Sequence, residues 1–227
     1  MIQIQWLGHS SWLISTEEVR IAIDPFLTDN PKASCKPDQI EADVILVSHG
    51  HFDHVQDVAA IANRCNSLVV ANYEIATWFS SKHHVANTLG MNLGGWASIP
   101  HGRVKSTIAH HSSQLPDGSY GGNPGGYVIE LEGKRIYYAG DTALFSDMGL
   151  IGRMNIDVAI VPVGDLFTMG LEDSIQATEW IHPKVVLPTH YDTWPPIACD
   201  TQEWAQQIRS RTQATPVVLQ PGQSYSC

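Results

Sequence analysis

The sequence feature that most constrains this chain is a turn rich in metal donors at the end of an apolar run. Residues 49–54 read His-Gly-His-Phe-Asp-His, and residues 44–47 before them read Val-Ile-Leu-Val. Such a run is typical of a buried strand, so the donors stand where the strand ends. Neutral imidazole suits zinc, iron, copper or nickel, and a carboxylate adds a harder oxygen donor. The pattern therefore predicts a metal site at the edge of a sheet.

The spacing of the donors divides them between two ions. His49 and His51 are two positions apart and can turn to the same side of an extended turn. Asp53 and His54 follow too soon to complete the same tetrahedron comfortably, so we assign them to a second ion nearby. A solvated loop is the alternative interpretation, since histidine clusters also occur without a metal.

Length and charge narrow the class of protein. A chain of 227 residues is most economically a single domain, residues 1–227, which can contain two similar halves. Its 13 Lys and Arg against 23 Asp and Glu give a net charge of -10, and no run of basic residues occurs. Nucleic-acid binding needs a basic footprint, so we expect no nucleic-acid partner.

The N-terminus and the cysteines indicate the compartment. The N-terminus lacks a basic segment followed by a long apolar one, and no stretch approaches the roughly 20 apolar residues of a membrane span. The four cysteines are scattered without a CxxC pair, which favours reduced thiols over a disulfide framework. We therefore expect a cytoplasmic protein with no membrane partner.

Hydrophobic patterning predicts the order of the elements. Strands are expected at 2–7, 11–14, 19–23, 43–48, 67–71, 127–131, 135–139, 157–163 and 184–188, and helices at 56–64, 73–81, 172–182 and 201–211. Strands and helices in this order indicate a layered protein with mixed sheets. The glycine-rich stretch 116–126 is either a mobile loop beside the site or an ordinary connection.

Two parts of the chain echo each other. Residues 20–24 form a strand that ends at an aspartate, and after a spacer Asp43 opens a second apolar strand. Residues 135–141 and Asp157 repeat this arrangement. The repetition indicates either two related halves or chance in a chain rich in strands.

The string His49–His54 resembles the HxHxDH signature of the metallo-β-lactamase superfamily of binuclear metal hydrolases. Three further stretches, Asp24–Thr28, Ala139–Phe145 and Gly164–Gly170, resemble a branch of metal-dependent hydrolases akin to L-ascorbate 6-phosphate lactonase, and the likeness runs over nearly the whole chain. The resemblance implies an α+β fold, a four-layered αββα sandwich with the metals at one edge of two central sheets.

The resemblance also completes the ligand set. An aspartate such as Asp141 after a strand is usually a turn residue, and His190 alone would be a loop histidine, but the resemblance implies that both bind metal. The last donor is His110 or His111; alternation along 104–109 leaves the choice open, and the family pattern favours His111. The implied set is His49, His51 and His111 on the first metal, Asp53, His54 and His190 on the second, and Asp141 bridging them, with Asp53 and Asp141 as catalytic residues.

Residues around this set have two interpretations each. Asp24 and His9 either hydrogen-bond the ligating side chains from behind, which fixes a histidine tautomer, or are a turn aspartate and a structural histidine. Phe167, Met169 and Trp194 either floor an apolar part of the pocket or pack in the core. The remaining histidines are expected to have no metal role: His83, His84, His101 and His182.

The predicted function is metal-dependent hydrolysis. Two divalent ions can lower the pKa of a shared water toward neutrality, and the hydroxide that they hold attacks a polarised bond. The likeness to a lactonase implies a small lactone or ester as substrate. Alternatives are a phosphodiesterase or thioesterase of the same superfamily, and a non-catalytic metal-binding protein. The expected cofactors are two divalent ions, zinc first, with manganese or iron also compatible; a homo-oligomer is left open.

Overall fold

Fourteen strands pair into two seven-stranded sheets in the computed structural model, which describes residues 1–227. The strands are β1 (Gln3–Gly8), β2 (Ser11–Ser15), β3 (Arg20–Ile23), β4 (Val44–Leu46), β5 (Leu68–Asn72), β6 (Thr88–Met91), β7 (Trp96–Ile99), β8 (Gly102–Ile108), β9 (Gly125–Leu131), β10 (Lys134–Tyr138), β11 (Val158–Pro162), β12 (Val185–Thr189), β13 (Thr215–Pro216) and β14 (Ser224–Ser226). The first sheet has the order β14-β1-β2-β3-β4-β5-β6, and the second β7-β8-β9-β10-β11-β12-β13.

The two sheets repeat the same strand pattern. In the first, β14 to β3 are antiparallel neighbours and β3 to β6 are parallel; in the second, β7 to β10 are antiparallel and β10 to β13 are parallel. Asp43, just before β4, accepts a hydrogen bond from the Arg20 amide at 2.8 Å. Asp157, just before β11, accepts the matching bond from the Arg135 amide at 2.9 Å. The repetition in the sequence therefore corresponds to two halves of the chain that share the same strand topology.

Helices cover the outer faces of the sheets. They are α1 (Phe52–Val55), α2 (Val58–Cys65), α3 (Tyr73–His83), α4 (Met148–Gly152), α5 (Leu171–Ile181) and α6 (Thr201–Arg211). Val44 and Leu46 of β4 belong to the core cluster between the sheets, whereas Ile45 and Val47 pack in a second cluster with α2 and α3. This alternation is what a strand buried on both faces requires. The α+β, four-layered αββα sandwich is confirmed.

Every helix and strand named from the sequence is present, with its ends within two residues of the prediction. The patterns did not predict β6 and β7, which are half-exposed, the short β13 and β14, or the short helices α1 and α4. For β8 they indicated only the alternation along 104–109. The prediction of a loop over 116–126 is wrong at its C-terminal end, because Gly125 and Gly126 already belong to β9. A Cβ on Gly126 would lie 2.4 Å from the Tyr138 carbonyl oxygen, so glycine lets β9 approach β10 there.

The topology brings several strand ends to one place. Asp24 follows β3, His49 comes soon after β4, Asp141 soon after β10, and His190 directly after β12. Carboxyl ends of parallel strands meet at one edge of a sheet, where α/β proteins commonly bind ligands. The longest helices have 11 residues, and none is long and apolar enough to cross a membrane.

Candidate metal centre

Three histidines converge at the end of β4. Nε2 of His49 lies 2.9 Å from Nδ1 of His51, which lies 3.3 Å from Nε2 of His111. Two nitrogens bound to one zinc in a tetrahedron are roughly 3.3 Å apart. Burial lowers the pKa of His49 well below its ordinary value, and it also lowers the pKa values of His51 and His111. The three imidazoles are therefore neutral, which is the form that binds a metal.

A second group of donors lies beside the first. Ligand atoms of His9, Asp53, His54 and His190 all lie within 4.8 Å of one another, and all four residues are buried. Burial would raise the pKa of Asp53, but the neighbouring His54 and His9 lower it to about 2. Asp53 is therefore an anion at neutral pH and can neutralise part of the charge of a cation.

Asp141 lies between the two groups. Its Oδ2 is 3.1 Å from Nε2 of His190, 3.3 Å from Nε2 of His54 and 3.8 Å from Nε2 of His111. Gly140, with φ 67°, forms the turn that places Asp141 here. A Cβ at this position would lie 2.7 Å from the Gly125 carbonyl oxygen, so glycine is needed. Burial raises the pKa of Asp141, but His190 and His54 lower it well below its ordinary value.

The donors fit divalent metal ions. Nε2 of His54 and Oδ1 of Asp141 are buried and have no hydrogen-bond partner. Buried polar atoms without a partner are rare, because each one costs free energy. Both residues belong to the same group of possible metal donors, so a cation at this place would satisfy these atoms. Nitrogen and oxygen donors without thiolate suit zinc, manganese or iron.

Asp24 fixes the direction of His54 from behind. Its Oδ2 accepts a hydrogen bond from Nδ1 of His54 at 2.8 Å and one from the Tyr138 hydroxyl at 2.7 Å. Ser48 adds two more, from its amide to Oδ1 at 2.7 Å and from its hydroxyl to Oδ2 at 2.5 Å. Three of these donors reach Oδ2 and one reaches Oδ1, so the carboxylate is held firmly in place. Because Nδ1 of His54 carries the proton, Nε2 is the atom turned toward Asp141.

Ser48 also orients His49. Its hydroxyl hydrogen goes to Asp24, so its oxygen accepts a hydrogen bond from Nδ1 of His49 at 3.0 Å. That bond leaves Nε2 of His49 with a free lone pair toward His51.

His9 supports Asp53. Its Nε2 lies 3.1 Å from Oδ2 of Asp53, and its Nδ1 lies 2.8 Å from the Thr193 hydroxyl. Burial lowers the pKa of His9 to about 4, so the ring is neutral at pH 7. A neutral ring that donates from Nε2 accepts at Nδ1, and the Thr193 hydroxyl can supply that hydrogen. His9 thus hydrogen-bonds a candidate ligand, one of the two roles considered from the sequence.

The structure distinguishes between residues for which the sequence left two interpretations open. His111 joins the cluster, whereas His110 is exposed and packs on Phe145 with ring centroids 5.1 Å apart. Phe167 and Trp194 line the cleft above the donors, but Met169 does not, because it is fully buried in the core. The remaining histidines stand apart from the donor groups: His83, His84, His101 and His182.

The cleft measures about 310 Å³, which is the size of a small-molecule site. Its lining consists of His51, Phe52, Asp53, His111, Ser112, Asp141, Phe167, His190 and Trp194.

The segment after β8 forms one side of this region. Ser113 accepts a hydrogen bond from the Gly50 amide at 3.0 Å and donates one to the Gly121 carbonyl at 2.9 Å. The side-chain amide of Asn72 also donates a hydrogen bond to the Gly121 carbonyl oxygen, at 2.6 Å. The loop therefore lies beside the site, as the sequence indicated; its mobility stays a prediction.

Several residues of the site were not found from the sequence. Ser48 stands next to the donor turn and could have been considered for that reason alone. Tyr138, Thr193 and Phe52 gave no such signal, because their roles depend on partners that are distant in the chain or on exposure at the cleft.

An αββα sandwich with histidine and aspartate donors gathered at the carboxyl ends of its strands defines a metal-dependent hydrolase class. A sequence model of the beta-lactamase superfamily domain matches residues 3–190. The chain belongs to the metallo-β-lactamase superfamily, as predicted, and is a metal-dependent hydrolase.

Individual relatives agree with this assignment. The chain is 49% identical over 211 residues to a UPF0173 metal-dependent hydrolase of Thermus thermophilus, covering 93% of each protein. It is 44% identical over 228 residues to one of Pelotomaculum thermopropionicum, covering 98% of this chain and 99% of that protein. Its structure is similar to that of Igni18, a metallo hydrolase from Ignicoccus hospitalis, with a TM-score of 0.89, 33% identity and coverage of 99% and 97%. A relation to L-ascorbate 6-phosphate lactonase stays a prediction.

Proposed function

We propose that this protein hydrolyses a small lactone or related ester with two divalent metal ions, zinc, manganese or iron. His49, His51 and His111 would hold one ion, and Asp53, His54 and His190 the other, with Asp141 shared between them. The observation that carries the proposal is the position of Asp141 Oδ2, within 3.8 Å of histidines from both groups. When bound, such a pair of ions lowers the pKa of a water toward neutrality and polarises the carbonyl oxygen.

The side chains supply orientation and charge. Asp24 and Ser48 hydrogen-bond Nδ1 of His54 and of His49, which keeps Nε2 of each ring turned inward. The pKa of Asp53, about 2, makes this carboxylate a weak base. Its part in the proposed site is to bind and to orient a metal ion as an anion.

The surroundings of the donors favour a small uncharged substrate. None of the nine residues that line the cleft is lysine or arginine, and the chain carries a net charge of -10. Phosphate contacts dominate the affinity of proteins for nucleic acid, so the phosphodiesterase alternative on RNA has little support. The four cysteines are free thiols, which suits the cytoplasmic location that we include in the proposal.

Hydrolysis of a substrate panel tests the proposal. The metal-loaded protein is assayed on lactones, thioesters, an aryl phosphodiester and structured RNA, with Asp141→Ala as the inactive variant. Asp147→Ala serves as a matched control, because Asp147 is exposed and lies outside the cleft. Lactone turnover lost only in Asp141→Ala supports the proposal.

Other outcomes of the panel contradict it. Thioester or RNA cleavage lost in Asp141→Ala, without lactone turnover, would replace it with the corresponding alternative. No turnover of any substrate by a fully loaded protein would favour a non-catalytic metal-binding protein.

A further inference from the structure

The segment Gly164–Gly170, which follows β11, supplies no metal donor but has an unusual backbone. Asp165 has φ 58° and Leu166 has φ 48°, so two consecutive residues that are not glycine are left-handed. Such backbone costs free energy and persists only where surrounding contacts hold it. The segment therefore has a defined shape that its own residues do not favour.

Both ends of the segment are fixed beside the metal centre. At Gly164, a Cβ would lie 2.1 Å from the carbonyl oxygen of His190, so only glycine allows this approach. At the other end Met169 is fully buried, and its amide donates to the Thr142 carbonyl at 2.9 Å. The Asp165 amide closes the loop by donating to the Met169 carbonyl at 3.1 Å. The segment is thus attached next to two candidate ligands, His190 and Asp141.

The fixed segment presents Phe167 to the cleft. The Phe167 side chain lines the cleft, and the residue is 55% exposed. A single exposed apolar side chain is ordinary on a protein surface. A phenyl ring held over a candidate reaction site by strained backbone is a different case, because it offers apolar area to whatever occupies the cleft.

A second aromatic surface lines the same cleft. Phe52, 53% exposed, packs edge-on against the buried Phe26 with ring centroids 5.7 Å apart. Trp194 lies 6.2 Å from Phe52 and 6.1 Å from Phe26 by ring centroid. Phe26 therefore supports both rings from below, and the surface that they form is well packed.

No lysine or arginine lines the cleft. Apart from Ser112, its polar lining residues are the candidate metal donors themselves. A phosphate or carboxylate on the substrate would find no lysine or arginine there, whereas an alkyl chain or ring would find aromatic surfaces.

We propose that Phe167, together with Phe52 and Trp194, binds an apolar chain or ring of the substrate. The substrate class is then a lactone or ester with an alkyl or aryl substituent, and phosphorylated sugar lactones are poor substrates. The reaction in this statement rests on the proposed function; the apolar subsite does not.

Two lactones that differ in alkyl chain length test the subsite during turnover. We expect kcat/KM for γ-octalactone to exceed that for γ-butyrolactone by about 10-fold or more, because the four added carbons are removed from water. Phe167→Ala should reduce this ratio by about 5-fold, mainly through a higher KM for the longer lactone, since the apolar contact is made before the reaction begins. Tyr73→Ala is the matched control, because Tyr73 is 65% exposed and lies outside the cleft; it should leave the ratio unchanged.

Binding of 4-phenylbutan-1-ol to the metal-loaded protein, followed by NMR, tests the subsite without any reaction. We expect Phe167→Ala to raise the Kd at least about 5-fold and Tyr73→Ala to leave it unchanged. If no lactone or ester is cleaved but this loss of binding occurs, the subsite stands and the proposed reaction is wrong. If lactones are cleaved but Phe167→Ala changes neither the ratio nor the Kd, the reaction stands and the subsite is wrong. A preference of the wild-type protein for a phosphorylated sugar lactone would also overturn the subsite.

Discussion

Oδ2 of Asp24 accepts a hydrogen bond from Nδ1 of His54 at 2.8 Å, and both side chains are fully buried. This bond occupies Nδ1 of His54 and leaves Nε2 as the nitrogen available to a metal. Replacing Asp24 with Asn removes the negative charge that holds the imidazole. We expect Asp24→Asn to weaken metal binding by about 10- to 100-fold, as loss of such partners commonly does. Competition with a chromophoric chelator measures the change.

Asp43 gives a matched control. It is exposed, lies before β4 of the same sheet and hydrogen-bonds only the backbone of Arg20. Asp43→Asn should therefore keep the metal affinity of the wild-type protein. Equal affinities for Asp24→Asn and wild type would show that His54 does not depend on this bond.

The sequence made the candidate donors visible because most of them follow apolar strands closely. His49, Asp141 and His190 stand just beyond β4, β10 and β12, and parallel strands place such residues at a common edge. By contrast, the contact of His9 with Asp53 joins the turn between β1 and β2 to α1, 44 residues away. No local pattern encodes that distance.

The aromatic lining of the cleft was less predictable. Phe167 and Met169 belong to one segment, yet Phe167 is exposed and Met169 is buried. The left-handed backbone at Asp165 and Leu166 precedes this divergence; aspartate is enriched in that conformation, but leucine rarely adopts it, so no sequence pattern indicates it. Tyr138 is similar: strand alternation places its ring in the core, but its hydroxyl partner Asp24 lies in the other half of the chain.

His111 and His110 are neighbours with opposite predicted effects on metal binding. Nε2 of His111 lies 3.3 Å from Nδ1 of His51, whereas the His110 ring packs on Phe145. His111→Ala should weaken binding of one metal by orders of magnitude. His110→Ala should leave it unchanged. Titration of both metal-free variants with zinc measures the difference, and a loss confined to His110→Ala would reverse the assignment.

Metal binding should become weaker as the pH falls through neutrality. Burial lowers the pKa of His54 in the metal-free protein, but the carboxylates of Asp141 and Asp24 raise it more, to well above its ordinary value. His54 is therefore protonated at pH 7, and a metal must displace the proton at Nε2. Lower pH favours the proton, so affinity falls in that direction.

Calorimetry measures this proton release. Zinc titrations at pH 7 in two buffers with different ionisation enthalpies should show about one or more protons released per chain. Identical heats in both buffers would mean that His54 is already neutral before metal binds.

Two glycines should respond oppositely to alanine. A Cβ at Gly164 would lie 2.1 Å from the His190 carbonyl oxygen, whereas one at Gly149 in α4 meets no atom within 4 Å. We expect Gly164→Ala to lower the free energy of unfolding by about 1–3 kcal/mol. Gly149→Ala should raise it by about 0.5 kcal/mol, because alanine loses less backbone entropy in a helix. Urea denaturation of the metal-free proteins compares them, and equal stabilities would contradict the contact at His190.

The most direct test of the proposed two-metal centre is anomalous diffraction from crystals of the metal-loaded protein, at the absorption edge of the bound metal. We expect two peaks in the cleft. One should lie among Nε2 of His49, Nδ1 of His51 and Nε2 of His111, and the other beside Asp53, His54 and His190, with Asp141 between them. A single peak at full loading, or a second peak away from these residues, would contradict the two-metal centre.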